Sequence, residues 1–360
     1  MMSTSNILTS LFLLPCLAQV ALSAVTKRAT VCNNSPDLCS KAYNNVTYLG
    51  THNAPFLRDS STGNSQSGNQ FYNTTVQLSA GVRMLTGQVH NNNGSLHMCH
   101  SSCTLLDAGT LSNWLSEIKT WMDGNPNEVV TVLLVNSDDS SASALASAYT
   151  TAGIASYAYT PATTTAPSEW PTLQTLINDG TRLINFVASL DDNSAAPYLL
   201  DEFDYIFENN YDNTSPSNFS CAVNRPSGVT TNSALQKNLM PLMNHFLYQT
   251  TSLFGTIIES PDLGNISTTN SASSGTGALG ASATECTNTY GQAPTYILVD
   301  FFNVGPAIDT VDNLNGITSP VGRTNVSTAA SAPATSGSTR SEYSTFSLVA
   351  ALIVAFVLIA

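Results

Sequence analysis

The sequence is short of charge, and shortest of positive charge. Only 10% of its 360 residues are Asp, Glu, Lys or Arg, where a soluble domain usually carries about a quarter. Eleven basic residues face 24 acidic ones, a net charge of −13. Such a chain repels polyphosphate backbones and offers no polybasic patch to an anionic membrane, so a nucleic-acid partner is excluded. No Gly-x-Gly-x-x-Gly or Walker pattern occurs, which leaves a nucleotide-binding fold without support. Histidine is scarce as well, at five residues, and four of the five fall between positions 52 and 100.

The first 24 residues contain neither Lys nor Arg. They run as an apolar stretch from Asn6 to Ala24 that ends in small residues, and they read as a signal peptide (1–24) cleaved after Ser23 or Ala24. Lys27-Arg28 offers a second, dibasic trimming site. The other end is equally poor in charge. Phe346 to Ala360 is an uncharged apolar tail of 15 residues, shorter than the roughly 20 that a spanning helix needs. With small residues at Ser336, Gly337 and Ser338 and a short polar spacer, it matches a glycosylphosphatidylinositol (GPI) signal, removed as 339–360 with attachment at Ser336. The expected destination is the extracellular surface, anchored in the outer leaflet of the plasma membrane or passed to a wall.

Losing Cys16 with the signal leaves Cys32, Cys39, Cys99, Cys103, Cys221 and Cys286, an even number for an oxidising compartment. Six cysteines allow 15 pairings. Proximity favours Cys32 with Cys39 and Cys99 with Cys103, leaving Cys221 for Cys286; a zinc site at Cys99-His100-Ser-Ser-Cys103 is the rival. Asn-x-Ser/Thr sequons stand at Asn33, Asn45, Asn73, Asn93, Asn213, Asn218, Asn265 and Asn325, as an exported glycoprotein would carry.

Between the ends, apolar periodicity alternates. Strands are predicted at 46–51, 82–89 and 96–99, then at 128–136, 182–187 and 296–301, with weaker ones at 204–208 and 239–246. Helices are predicted at 75–80, 111–122, 141–151 and 173–179. Residues 128–136 form a nearly continuous β-branched run, as in a parallel strand buried on both faces. About eight strands alternating with helices indicate an α/β fold closed as a (β/α) barrel spanning 30–317. Asn265 to Ala283, nearly all small residues, reads as an exposed insertion, and 318–338 as a Ser/Thr-rich stalk. Alternation along the second strand puts Thr86, Gln88 and His90 on one face and Arg83 on the other.

The order of motifs carries a resemblance. Leu49-Gly-Thr-His52-Asn53, then Gly81-Val-Arg83 in a strand, then Leu96-His-Met-Cys-His100, resembles the X domain of phosphatidylinositol-specific phospholipases C, and in particular secreted fungal PLC-like phosphodiesterases. Asn125-Pro-Asn-Glu128, Asn224-Arg225-Pro226 and Leu298-Val-Asp300-Phe-Phe-Asn303 extend it over nearly the whole mature domain. The resemblance implies a TIM-type barrel with its site at the C-terminal ends of the strands. It implies that His52 is the general base on a substrate hydroxyl and His100 the general acid to the leaving alcohol, since two imidazoles have the pKa range that such paired proton transfers need. On an inositol phospholipid the product is a cyclic phosphate.

Two positions depart from the family. Members carry an acidic residue where this chain has Thr86, and an arginine or aspartate where it has Gln88; Asn53 follows the first histidine where bacterial members carry aspartate. Cofactors are therefore expected to be none, calcium included. Arg58 and Arg225 are candidate phosphate contacts, His90 a candidate lining residue, and Asp300 a candidate partner orienting His52 or His100. His97 and His245 have weaker claims. Two further readings stay open: a catalytically inactive surface glycoprotein that keeps the barrel, and a glycosidase using Glu208 and Asp300.

Overall fold

A computed structural model describes residues 29–253 and 256–333; the signal peptide, Ser336 and the 339–360 tail lie outside the described residues. In chain order the elements are β1 (Tyr48–Thr51), α1 (Thr74–Ala80), β2 (Met84–Asn92), β3 (Ser95–Cys99), β4 (Asp107–Thr110), α2 (Leu111–Gly124), β5 (Val130–Asn136), α3 (Ala142–Ala152), α4 (Leu173–Asp179) and β6 (Leu183–Ala188). They continue with β7 (Leu199–Asp201), β8 (Ile206–Glu208), α5 (Thr231–Gln236), β9 (Met240–Asn244), β10 (Tyr248–Leu253), β11 (Thr256–Pro261), α6 (Ile266–Thr269), α7 (Leu279–Tyr290), β12 (Tyr296–Val299) and α8 (Ala307–Asn315). The helices begin where the sequence supplies caps. Side chains of Asn73, Thr110, Ser141, Thr172 and Thr230 each accept from a backbone N–H in the first turn of the helix that follows.

Eight parallel strands pair in the order β7-β6-β5-β2-β1-β12-β9-β8. Laid flat, seven spacings of about 4.8 Å would hold the edge strands roughly 34 Å apart. Yet β7 and β8 are consecutive, joined only by a 3-10 turn at Glu202–Asp204, and a chain from 201 to 206 reaches at most about 18 Å. The sheet must therefore curl until its edges meet, which makes the expected α/β barrel, with one seam that is covalent and lacks ladder bonds among the described residues. β3 and β4 extend β2 as an antiparallel ribbon, and β10 pairs with β11 in a separate hairpin.

The floor of the barrel is plugged. Tyr43 is fully buried under the N-terminal strand ends, its hydroxyl 2.6 Å from Thr131 Oγ1 and 2.7 Å from Tyr296 Oη. Below the sheet, Arg83 points away from the barrel axis, as alternation predicted, and is buried against Glu128. Any polar site is thereby left to the opposite, C-terminal rim. Disulfides join Cys32 to Cys39, Cys99 to Cys103 and Cys221 to Cys286. The zinc reading falls with the second of these, because the sulfurs are bonded to each other.

Three expectations need correction. Residues 265–283 are not an exposed insertion. They hold α6 and the start of α7, bury Ile266, Leu279 and Ala283, and pack so closely that a Cβ on Gly280 would stand 2.2 Å from the Ala272 carbonyl oxygen. Small side chains serve here for close backbone approach rather than for solvation. The stalk does not begin at 318: the backbone of Val321 and Thr324 donates to Asn34 and Ser79, Arg323 pairs with Asp312, and the Asn303 amide donates to the carbonyls of Ser327 and Ala329. The chain is strapped to the barrel to at least Ala329. Finally, Asn33 and Asn213 are buried, their side-chain amides donating to the carbonyls of Val129 and Asn210. No room exists for a glycan on either, whereas the other six sequon asparagines are exposed.

Candidate active site

A pocket of about 190 Å³ opens at the C-terminal rim, with walls from β1, β2, β5, β8, β9 and β12. His52 lies in it, one residue beyond β1. Its backbone N–H still bonds the Val299 carbonyl at 3.0 Å, so it is held as if the strand continued. The next residue, Asn53, turns into the left-handed region at φ 53°, which asparagine tolerates better than most residues. Thr86 fixes that turn by accepting the Asn53 N–H at 3.0 Å and the Ala54 N–H, through its carbonyl, at 2.7 Å. The imidazole of His52 stacks flat on Phe246, centroids 3.8 Å apart, with the edge of Tyr248 beyond.

Asp300 stands one residue past β12, with Oδ1 2.9 Å from His52 Nδ1. Asn69 Nδ2 donates to the same oxygen at 3.0 Å. The turn behind the carboxylate is tightly held. Phe301 takes φ 43°, donates its N–H to the Asn69 carbonyl, and the Asn270 amide donates to the Asp300 carbonyl at 2.9 Å. An aromatic residue at positive φ is costly by 1 kcal/mol or more and persists only where its surroundings enforce it.

His100 follows β3 inside the loop clamped by the Cys99–Cys103 disulfide, and its N–H bonds the Leu106 carbonyl at 2.9 Å. Its ring meets Phe56 edge-on at 5.3 Å, Nδ1 lies 3.3 Å from Ser101 Oγ, and Nε2 is buried with no partner. Burial, and after it the nearby positive charge that His52 can carry, lowers the His100 pKa to about 4. Ser101 again has positive φ, at 57°. All three residues that follow His52, His100 and Asp300 thus adopt left-handed backbone.

The far wall is a second polar group. Glu208, at the end of β8, is buried. It accepts from Arg225 Nε at 2.9 Å, from a second guanidinium nitrogen of Arg225, and from Asn244 Nδ2 at 3.1 Å. Arg225 lies over the Tyr211 ring at 4.4 Å. Glu202 is buried behind Glu208, and burial together with the Glu208 charge drives its pKa well above the usual carboxylate range.

Of the residues singled out from sequence, His52, Asn53, Gln88 and Arg225 line this pocket, Asp300 supports it from behind His52, and His100 lies close enough to interact with His52 electrostatically. Two do not belong. Arg58 donates to Gln66 within its own loop at 2.6 Å, and His90, although in register with Thr86 and Gln88, has run beyond the rim and meets Asp138 at 3.1 Å. His97 pairs with Asp107, and His245 is buried with Nε2 bonded to the Thr269 carbonyl. The glycosidase pair does not survive either, since Glu208 is committed to Arg225 and Asp300 to His52. Sequence reasoning missed Asn69, Phe246, Tyr248 and Asn270. Asn69 and Asn270 sit in small polar stretches that carry no periodic signal; Phe246 and Tyr248 flank a strand end and were legible only as apolar residues.

A calcium ion does not fit the donors present. On the pocket side of His52 the oxygens of Asn53, Gln88 and Thr86 are neutral, the Asp300 carboxylate behind the ring is engaged by His52 Nδ1 and Asn69, and the carboxylate across the pocket is paired with Arg225. Calcium sites are built from six to eight oxygens with carboxylates among them.

The PI-PLC X family model matches residues 38–315. The chain is 37% identical over 304 residues to a PI-PLC X domain-containing protein 1 of Arthroderma benhamiae, covering 84% of this chain and 95% of that one. An uncharacterized secreted protein of the same organism is 37% identical over 286 residues, 79% of this chain and 61% of its own length. Among solved structures, the phosphatidylinositol-specific phospholipase C of Listeria monocytogenes superposes with a TM-score of 0.46 at 14% identity, covering 79% and 96% of the two chains. The strand order, the rim pocket and a family match running from the first disulfide to α8 lead to one assignment: the chain belongs to the PI-PLC X domain family.

Proposed function

We propose that this protein is a secreted, GPI-anchored phosphodiesterase of phospholipase C type, in which His52 is the general base and His100 the general acid. The observation that carries this reading is the His52–Asp300 pair at the barrel rim. A carboxylate on Nδ1 holds the ring proton there and stabilises the imidazolium that forms when Nε2 removes a proton from a substrate hydroxyl. That hydroxyl, adjacent to the diester, attacks phosphorus, forming a P–O bond as the bond to the leaving alcohol breaks. His100, with its unpartnered Nε2, donates the proton that the leaving oxygen needs. The substrate class is an inositol phospholipid, a glycosylphosphatidylinositol or a related diester carrying its own nucleophile. The Arthroderma relative named as secreted supports the location, as do three disulfides.

Incubating the mature protein with a panel of phosphodiesters should yield cyclic phosphate, read by phosphorus NMR, and a chelator should leave the rate unchanged because the neutral donors build no calcium site. The acid role fixes the pH response. His100 must be protonated to act and has a pKa of about 4 in the free protein, so its protonated fraction falls as pH rises above that value. kcat/KM should therefore peak on the acid side, below about pH 6, and decline toward neutrality. An optimum at pH 8 would remove His100 as the acid.

A second reading, an inactive surface glycoprotein, is favoured by one observation: Thr86 and Gln88 leave the His52 side of the pocket without a cation, and Arg225 is bound to Glu208. No cyclic phosphate from any diester would decide for it. The anchor has its own test. Protein expressed in its own cell type should lose the 346–360 tail and be released from membranes by an anchor-cleaving phospholipase; recovery of intact Ala360 in the mature protein would reject anchoring.

A further inference from the structure

We propose that Gln88 is a positioning residue whose side-chain amide passes the polarity of the Ser101 backbone N–H through Asn53 to His52, and so works with Asp300 to keep Nε2 of His52 without a proton, capped in the free protein by an amide that a substrate hydroxyl displaces. The catalytic use of this relay rests on the reading of His52 as a base; its existence does not.

The direction follows from one end. A backbone N–H can only donate, so the Gln88 atom 2.7 Å from Ser101 N is the oxygen. With its oxygen so engaged, the amide presents Nε2 on its other side, where Asn53 Oδ1 lies at 3.5 Å. Asn53 then offers Nδ2 to His52 Nε2 at 3.0 Å. A nitrogen that accepts carries no proton, so the ring proton sits on Nδ1, facing Asp300 at 2.9 Å. A carboxylate at that end demands the same tautomer, and the Asn69 amide, 3.3 Å from Nδ1, then donates to the nearer Asp300 oxygen rather than to the ring. Two unrelated ends therefore impose one polarity on a chain of three side chains, and amide orientations that would otherwise be free are fixed.

The backbone supports the relay. Asn53 is pinned by Thr86 at its N–H and by its left-handed turn, and Ser101 by the turn that follows His100. Thr86 and Gln88, which bring no charge, have distinct tasks here: one sets the Asn53 backbone, the other its amide. The relay also joins the turn bearing His100 to the turn bearing His52.

The test uses the mature protein labelled with nitrogen-15, without substrate. In wild type, a scalar coupling across the N–H···N hydrogen bond should connect Asn53 Nδ2 with His52 Nε2. Gln88→Glu keeps an acceptor for Ser101 N–H but removes the donor to Asn53, and Gln88→Met removes both. The coupling should be lost in each, with the His100 turn unchanged in Gln88→Glu. Persistence of the coupling in both variants, or a protonated Nε2 in neutral wild-type His52, overturns the relay. If the coupling behaves as expected while wild type cleaves no diester, the relay stands and the phosphodiesterase reading alone falls.

Discussion

His52→Ala and His100→Ala should each lower turnover by about 10²–10⁴-fold on a diester that the wild type cleaves, the usual contribution of one general acid or base. His52 is fixed on four sides: Phe246 stacks on it, Asp300 binds Nδ1, Asn53 reaches Nε2 and the Val299 carbonyl holds its backbone. Its removal takes away the proton acceptor without touching the barrel floor, so the fold should persist. His100 is buried against Phe56 and held by its backbone to Leu106; its alanine variant leaves a small cavity beneath the rim but no unpaired charge. Because base and acid act on one transition state, the double variant should cost little more than the worse single one. Single-turnover rates beside unfolding curves make the measurement. Equal rates for wild type and both variants would end the two-histidine mechanism.

The second large effect is on stability, at the opposite end of the barrel. Arg83 donates to Glu128 at 2.9 and 2.6 Å, to Asn34 Oδ1 at 2.6 Å and to the carbonyls of Leu78 and Val82 at 2.7 Å each. Both side chains are largely buried, at 4% and 11% exposure, with the Trp121 ring 5.2 Å from the guanidinium. Arg83→Met should destabilise by about 3–5 kcal/mol, because it leaves the Glu128 carboxylate buried without a partner. Adding Glu128→Leu to that variant should recover part of the loss, since an apolar pair of similar volume removes the stranded charge. Urea unfolding midpoints measure both, and the coupling between Asn53 and His52 should be the same in either variant. A loss under 1 kcal/mol for Arg83→Met would show that the pair merely breaks even against its desolvation.

Much of the site was legible because its chemistry is bound to regular structure. Period-two alternation put Thr86 and Gln88 on the inner face and Arg83 on the outer, and strand-end positions pointed to His52, His100 and Asp300. His90 shows where that logic stops. Alternation gives the face but not the height, and β2 runs to Asn92, past the rim of the shorter β1, so a residue on the inner face no longer looks into the pocket. Residues 265–283 show the other failure. Leu279, Ala283, Cys286 and Tyr290 follow helical spacing, but a composition rich in Ser, Thr, Gly and Ala masked the stripe.

The sequence by itself determined the alternation of strands and helices and the histidines at strand ends, and it favoured the barrel and the two short cysteine pairs, because each depends on local periodicity or short separations along the chain. Tertiary structure decided the rest. Asn69 reaches Asp300 across 231 residues, Asn270 holds the same turn from a separate segment, and the tail beyond 318 is recruited to the barrel. It also moved the titration of the site: burial and a neighbouring like charge bring the His100 pKa down to about 4 and push that of Glu202 well above the usual carboxylate range. Desolvation and long-range hydrogen bonds are properties of what surrounds a residue in space, and neighbours in the chain do not encode them.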